Sequence, residues 1–241
     1  GRDLTVSDAG DGRIVVSLSE AEREAIIDRT LSQSLEIVRR RIDEAGTREP
    51  TIQRQGERRI LVQVPGIGSA EELLALLGET AKLSFHDVEG ETANPNAPAG
   101  PGNMIVPDAE EEGRHYIVER AATVSGENLV DASAGFDRDG APAVNFRFDT
   151  TGARRFGDYT RANVGRPFAI VLDDEVISAP RIISAITGGS GQITGNFTVE
   201  EANRLAILLR AGALPAEIQV LEQRTVGPDL GADSIAAGKV A

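Results

Sequence analysis

The chain contains no cysteine and no tryptophan among its 241 residues. Without thiols there is no disulfide, no cysteine-bound zinc and no thiol nucleophile. Oxidising and reducing compartments both tolerate such a sequence, so the absence does not locate it. Aromatic residues are scarce, with seven Phe and two Tyr, which leaves Ala, Val, Ile and Leu to build the core. Lysine is confined to Lys82 and Lys239, and arginine carries the remaining positive charge. A formal net charge of -13 removes nucleic acid from the candidate partners, because phosphate recognition needs a cationic surface. No stretch reaches the roughly 18 apolar residues of a spanning helix. The first residues lack the basic and apolar regions of a signal peptide, so the sequence is expected to behave as a soluble segment.

What is present suffices for one large domain or two small ones with a hydrophobic core. Arg13–Leu18 alternates and reads as a strand. Ser19-Glu20-Ala21-Glu22 fits a capping box, and Ile27, Leu31, Leu35, Val38, Ile42 and Ala45 form one helical stripe that ends at Gly46. Such a helix would be about 39 Å long. Pro50 sets an extended segment, and Thr51–Gln55 with Arg59–Val64 flanks a glycine turn as a hairpin. Ser69-Ala70-Glu71-Glu72 opens a second helix, Glu71–Leu77, and Lys82–Val88 is a further strand. Strand, helix, strand, strand, helix, strand is the ferredoxin-like order.

Residues 89–112, rich in Pro, Asn, Ala, Gly and Glu, read as a mobile loop. Beyond it come strands at Tyr116–Val124 and Ala143–Phe148, a short helix over Thr151–Asn163, and a hairpin of Phe168–Leu172 with Val176–Ser178 about Asp173-Asp174. A third capping box, Thr198-Val199-Glu200-Glu201, starts a helix carrying Ala202, Leu205, Ala206, Leu208 and Leu209 up to Gly212. A strand over Glu217–Leu221 is expected next. This wording rhymes with Ser69–Phe85, a weak internal repeat implying that the chain returns to its first sheet. The fold class is therefore α+β, with the region near 113–195 inserted.

No constellation carries catalysis. His86 and His115 lie outside any metal spacing. Asp137, Asp139 and Gly140 suggest a calcium loop, but Phe148 stands where the bidentate Glu belongs. Asp173-Asp174-Glu175 reads as a solvated hairpin tip in preference to a metal site. Gly188-Gly189-Ser190-Gly191 lacks the Lys of a P-loop and the frame of a hydrolase elbow. Arg39-Arg40-Arg41 reads as a solvated helix face paired with Glu36 and Asp43. Phe136, Phe146, Phe148, Phe156 and Phe168 all fall in the inserted region. They build its small core or, for a minority, line an apolar groove for an extended peptide.

Three blocks are distinctive in wording: EIVRRRIDEAGTREPTIQRQGERRILVQVPG, GRPFAIVLDDEVISAPRI and EANRLAILLRAGALPAEIQVLEQRTVGPDLGADSI. In this order they resemble the large periplasmic loop of the SecD family, membrane subunits of the bacterial protein-export machinery. The resemblance implies a ferredoxin-like (βαββαβ) base over residues 1–88 and 197–227, a linker over 89–112 and an inserted, mainly β head over 113–196. Residues 228–241 then read as the approach to a membrane helix. It implies partnership with SecF, the SecYEG channel and exported unfolded polypeptides on the periplasmic side of the inner membrane, with the proton gradient as energy source. It implies no cofactor, no metal and no catalytic residue. The head is expected to hold the emerging chain, with Phe136, Phe146, Phe148 and Phe168 as candidate contacts. Gly188, Gly189, Gly191 and Gly195 are the candidate hinge on which the head swings. The alternative is a scaffold that docks neighbouring subunits without touching the exported chain.

Overall fold

The computed structural model describes residues 4–8, 10, 13–46, 49–65 and 70–224. The chain begins as an antiparallel hairpin, β1 (Leu4–Asp8) and β2 (Ile14–Leu18). The Ser19 hydroxyl accepts a hydrogen bond from Glu22 N at 3.1 Å and starts α1 (Glu20–Glu44). Only this half of the anticipated capping box forms, since the Glu22 carboxylate turns to Arg29. The helix ends at Gly46, whose φ of 75° places it in the left-handed region a glycine adopts without penalty. Its apolar stripe packs on the hairpin β3 (Thr51–Gln55) and β4 (Arg59–Gln63) and on α2 (Ala70–Gly78). Val38, Ile42 and Ile52 are the buried centre of this helix layer, joined by Leu214 from far along the chain. Ser69, expected to cap α2, lies outside the described residues.

A second body holds most of the strands. It comprises β5 (Leu83–Thr92), β6 (Asn103–Pro107), β7 (His115–Glu119), β8 (Val124–Ser125), β9 (Leu129–Phe136), β10 (Pro142–Phe148), β11 (Phe168–Leu172), β12 (Glu175–Ser178) and β13 (Ser190–Thr194). Two helices accompany them, α3 (Thr150–Ala162) and α4 (Val199–Ala211). The sheet order β12-β11-β5-β7-β6, with β8 also on β5, is curled so that Asp108, just after β6, bridges Val176 of β12. One face of this curled sheet encloses Val88, Val106, Tyr116, Val118, Ala169, Val171 and Val176. The other face, bearing Leu83, Phe85, Phe168 and Ile170, meets the three-stranded sheet β13-β10-β9 and the helices in the larger core.

The element order β2-α1-β3-β4-α2-β5 is the one the sequence implied, and the molecule is α+β with a sheet-rich body. Strand pairing is more divided than a single ferredoxin-like sheet. Among the described residues β2 pairs with β1, β3 pairs with β4, and β5 belongs to the strand body. The cause is burial on both faces of β5: Leu83 and Phe85 serve one core, Val88 the other. Such a strand takes a central place with neighbours on either side.

Two further expectations are corrected. The presumed loop 89–112 contains strand over 89–92 and 103–107, because β5 runs on to Thr92 and β6 pairs with β7 from Asn103–Glu119 to Pro107–His115. The short apolar run Met104-Ile105-Val106 was masked by its Gly- and Pro-rich surroundings. Glu217–Leu221 is not a strand. Leu214 and Ile218 return to the helix-layer core one side chain at a time, while Val220 and Leu221 stay exposed. Alternation specifies a face; it does not supply a partner.

Candidate functional site

Phe146 and Phe148 do share one face of β10, but each is only 4% exposed, and Phe168 is 6% exposed. Together with Phe85 and Phe156 they form a ring cluster with centroids as close as 5.1 Å. Most of its contacts are tilted or edge-on, the arrangement that quadrupoles favour. The groove reading is therefore corrected for these three: β10 is the middle strand of its sheet and its aromatic face is covered. Phe136 differs. It stands at the β9–β10 hairpin tip, 62% exposed. Its carbonyl accepts from Gln192 Nε2 at 3.2 Å. The adjoining turn is tied by Asp137, whose carboxylate accepts from the amides of Asp139 and Ala141 at 2.9 and 2.8 Å. A rigid turn thus presents a bare ring, and the acidic wording that resembled a calcium loop is turn chemistry.

The candidate hinge glycines are mostly packed. A Cβ on Gly191 would lie 2.5 Å from Phe146 Cζ, and one on Gly189 2.4 Å from Ala153 Cβ. Gly189 also has φ 67°, and its carbonyl accepts from Phe148 N at 2.8 Å. Gly195 sits between Glu110 and Phe197, whereas Gly188 has open space around it.

Helix layer and strand body share no ladder among the described residues; they meet where α1 packs on α4, with polar ties across the contact. The third arginine of the expected solvated run, Arg41, is 0% exposed. Its guanidinium donates to the carbonyls of Leu76 and Glu79 through Nη1 at 2.9 and 2.5 Å. Nη2 donates to Thr80 and Gly212 at 3.1 and 3.3 Å. One cation thereby serves the carboxyl ends of α2 and α4, where free carbonyls and helix dipoles both favour positive charge. Burial pushes its pKa down to about 10, against the pull of Glu79 and Asp173. Arg40, by contrast, is exposed and pairs with Glu36 as the sequence suggested. Arg41 was legible in principle: at 100° per residue it lies about 60° from Val38, within the width of an apolar stripe.

The same segment is gripped from the other side. Asp173, in the β11–β12 turn, accepts from the Thr80 hydroxyl, from Ala81 N at 2.9 Å and from Lys82 N at 2.8 Å. Asp173 and Asp174 have φ of 49° and 66°, the left-handed pair of a two-residue hairpin turn. The acidic tip is thus a clamp on residues 80–82. A second tie is Arg210 of α4, which donates to Ala132 O of β9 at 2.8 Å and to Glu44 of α1 at 2.7 Å. Between these ties, burial raises the Glu79 carboxyl above its ordinary range, opposed by Arg204.

His86 lies in the curled sheet, 4% exposed, with Nδ1 at 2.7 Å from Glu119 O and Nε2 at 2.8 Å from the Ser84 hydroxyl. A carbonyl only accepts, so Nδ1 carries the proton and Nε2 accepts from Ser84. Desolvation holds the ring below the usual histidine pKa, against the raising effect of the Glu119 carbonyl. His115 is partly exposed near the start of β7, 3.3 Å from Gly113 O.

Comparison with known proteins agrees with this architecture. Residues 103–216 match the family model described as the SecDF P1 head subdomain, and residues 31–90 match the N-terminal P1 domain of protein translocase subunit SecDF. The protein translocase subunit SecD of Rhodobacter capsulatus is 59% identical over 99% of this chain and 43% of the relative. That of Rickettsia felis is 45% identical over 98% of this chain and 46% of the relative. The chain thus spans less than half the length of these curated relatives. A solved structure of SecDF, described as a membrane component that enhances protein export, is 35% identical with a TM-score of 0.67, over 83% of this chain and 94% of that one. SecDF in a super-membrane-facing form gives 37% and 0.70, over 87% of this chain and 30% of that one. A curled strand body, a helix layer joined to it through polar ties, and these matches lead to one conclusion: the chain belongs to the SecD family of protein translocase subunits and is its P1 region.

Proposed function

We propose that this P1 region works as a two-part mechanical element of protein export, in which the strand body is the moving head and the helix layer the base. The head would span β5 to α4, and the base would take the residues up to α2 together with the segment carrying Leu214 and Ile218. In the whole protein it would face the periplasm, act with SecF and SecYEG, and hold an emerging unfolded polypeptide while the proton gradient drives the membrane part. Holding a chain against back-sliding requires apolar contact and main-chain pairing and no bond chemistry. The observation that carries this reading is the division of the molecule: two bodies with no shared strand ladder among the described residues, tied by Arg41, Asp173 and Arg210. Of the four candidate phenylalanines, Phe136 is the one offered to solvent and is our proposed contact for the exported chain.

Locking the two parts tests this. The chain has no native thiol, so cysteines introduced at Glu44 and Arg210, whose side chains meet at 2.7 Å, can be joined by a short cross-linker in the full-length protein. The locked protein should fold and assemble but fail to support export, and reversal of the cross-link should restore it. Normal export in the locked state would remove the mechanical reading.

A further inference from the structure

The connector between α2 and β5, Glu79–Lys82, has no regular structure, yet its backbone is almost fully engaged. Its carbonyls at Glu79 and Thr80 are held by Arg41 of the helix layer, with Leu214 N also donating to Thr80 O at 2.8 Å. Its amides at Ala81 and Lys82 are held by Asp173 of the strand body. The two grips therefore belong to different bodies, and they differ in kind. Arg41 is fully enclosed and serves four carbonyls. Its withdrawal would leave the Leu76, Glu79 and Gly212 carbonyls without this donor and a buried cation without partners. Asp173 is at a half-exposed hairpin tip and Lys82 is exposed, so water reaches the Lys82 bond first, and the bonds of Thr80 and of buried Ala81 open to it only as the tip lifts away. The first grip is permanent; the second is exchangeable.

Backbone geometry points the same way. Ala81 is held at φ 57°, a left-handed conformation that a residue with a Cβ disfavours. Letting go of Asp173 frees Ala81 to relax, and β5 begins at Leu83, directly after Lys82.

We propose that Asp173 is the releasable half of a latch. When it frees Thr80–Lys82, the connector stays with the helix layer through Arg41 and the strand body turns about the Lys82–Leu83 link. This rests on the two-part reading above, but places the pivot at the α2–β5 connector and not at the glycines of residues 188–195.

The test uses the 241-residue chain with spin labels on cysteines at Arg40 and Asp139, read by pulsed dipolar spectroscopy, together with amide hydrogen exchange. The parent should give one narrow distance distribution. Asp173→Ala and the closer Asp173→Asn should each add a second distance and speed exchange at Ala81 and Lys82 by about tenfold or more. Amides of Val38, Val144 and Ile193 should keep their protection. Arg41→Met should instead loosen Val38 and Ile42 without a second distance. An unchanged distribution in both Asp173 variants overturns the latch, whatever exchange does at the connector. So does a second distance that arises only with Arg41→Met, or a loss of protection spreading equally through β5 and β11. None of these readouts involves the exported chain, so the latch and the chain-holding reading can fail independently.

Discussion

Arg41 and Arg40 are adjacent in sequence and opposite in environment, and that contrast fixes what each substitution should do. Arg41→Met removes a donor from four buried or part-buried carbonyls, of which Thr80 O keeps its bond from Leu214 N, and is expected to cost about 3 kcal/mol. Arg40→Met removes one exposed pair and should cost under about 0.5 kcal/mol. Thermal melts of the two variants check this directly. Gly191 offers a similar contrast with Gly188. An added methyl at Gly191 meets the Phe146 ring, an overpacking expected to cost about 1–3 kcal/mol, whereas Gly188→Ala should be close to neutral. His86 gives a pH prediction. Its folded pKa is lowered by burial, so below the ordinary value near 6.5 the unfolded chain binds more protons than the folded one. This contribution to stability is full above that value and is lost as pH falls through it toward the folded pKa. Melting temperature should drop between pH 7 and 5, and the drop should shrink in His86→Gln.

Helix and turn elements were the parts most readable from sequence, because their signals are local. Thr198 and Glu201 form the complete reciprocal capping box read from their spacing, with Glu201 N donating to the Thr198 hydroxyl at 3.1 Å and Thr198 N to the Glu201 carboxylate at 2.8 Å. The Thr198 amide and hydroxyl hold that carboxylate below its usual pKa. Thr198→Ala should cost about 1 kcal/mol, measurable as faster exchange at the start of α4. The hairpin about Asp173-Asp174 and the glycine stop at Gly46 were legible for the same reason. Strand partners were not. Whether β5 joins β3 or β11 is decided by what covers each face, a long-range matter that alternation cannot encode. Likewise the sequence placed Phe146, Phe148 and Phe168 together but not under cover, since burial depends on α3, α4 and the neighbouring sheet. Arg41 and Asp173 escape sequence reading because a charged residue in a polar run usually meets water. Here the carbonyl ends of two helices, and a connector without a ladder, leave backbone groups that only charges were positioned to satisfy.

At the scale of the molecule, two bodies meet where α1 packs on α4, tied by Arg41, Asp173 and Arg210. The larger core carries the five-phenylalanine cluster, and Phe156→Ala should cost about 3–5 kcal/mol while leaving the helix layer's amides protected if the two parts are cooperative units. The exposed Phe136, fixed by Gln192 and the Asp137 turn, contributes nothing comparable to stability and is free to serve as a contact. The central claim, that the strand body meets the polypeptide being exported, is tested most directly by a photo-cross-linker at Phe136 in the full-length protein during export, with the same probe at Arg40 of α1 as reference. The account predicts an adduct with the exported chain from Phe136 that vanishes when translocation is complete, and none from Arg40. Adducts with neighbouring subunits alone, or with the exported chain equally from both positions, would contradict it.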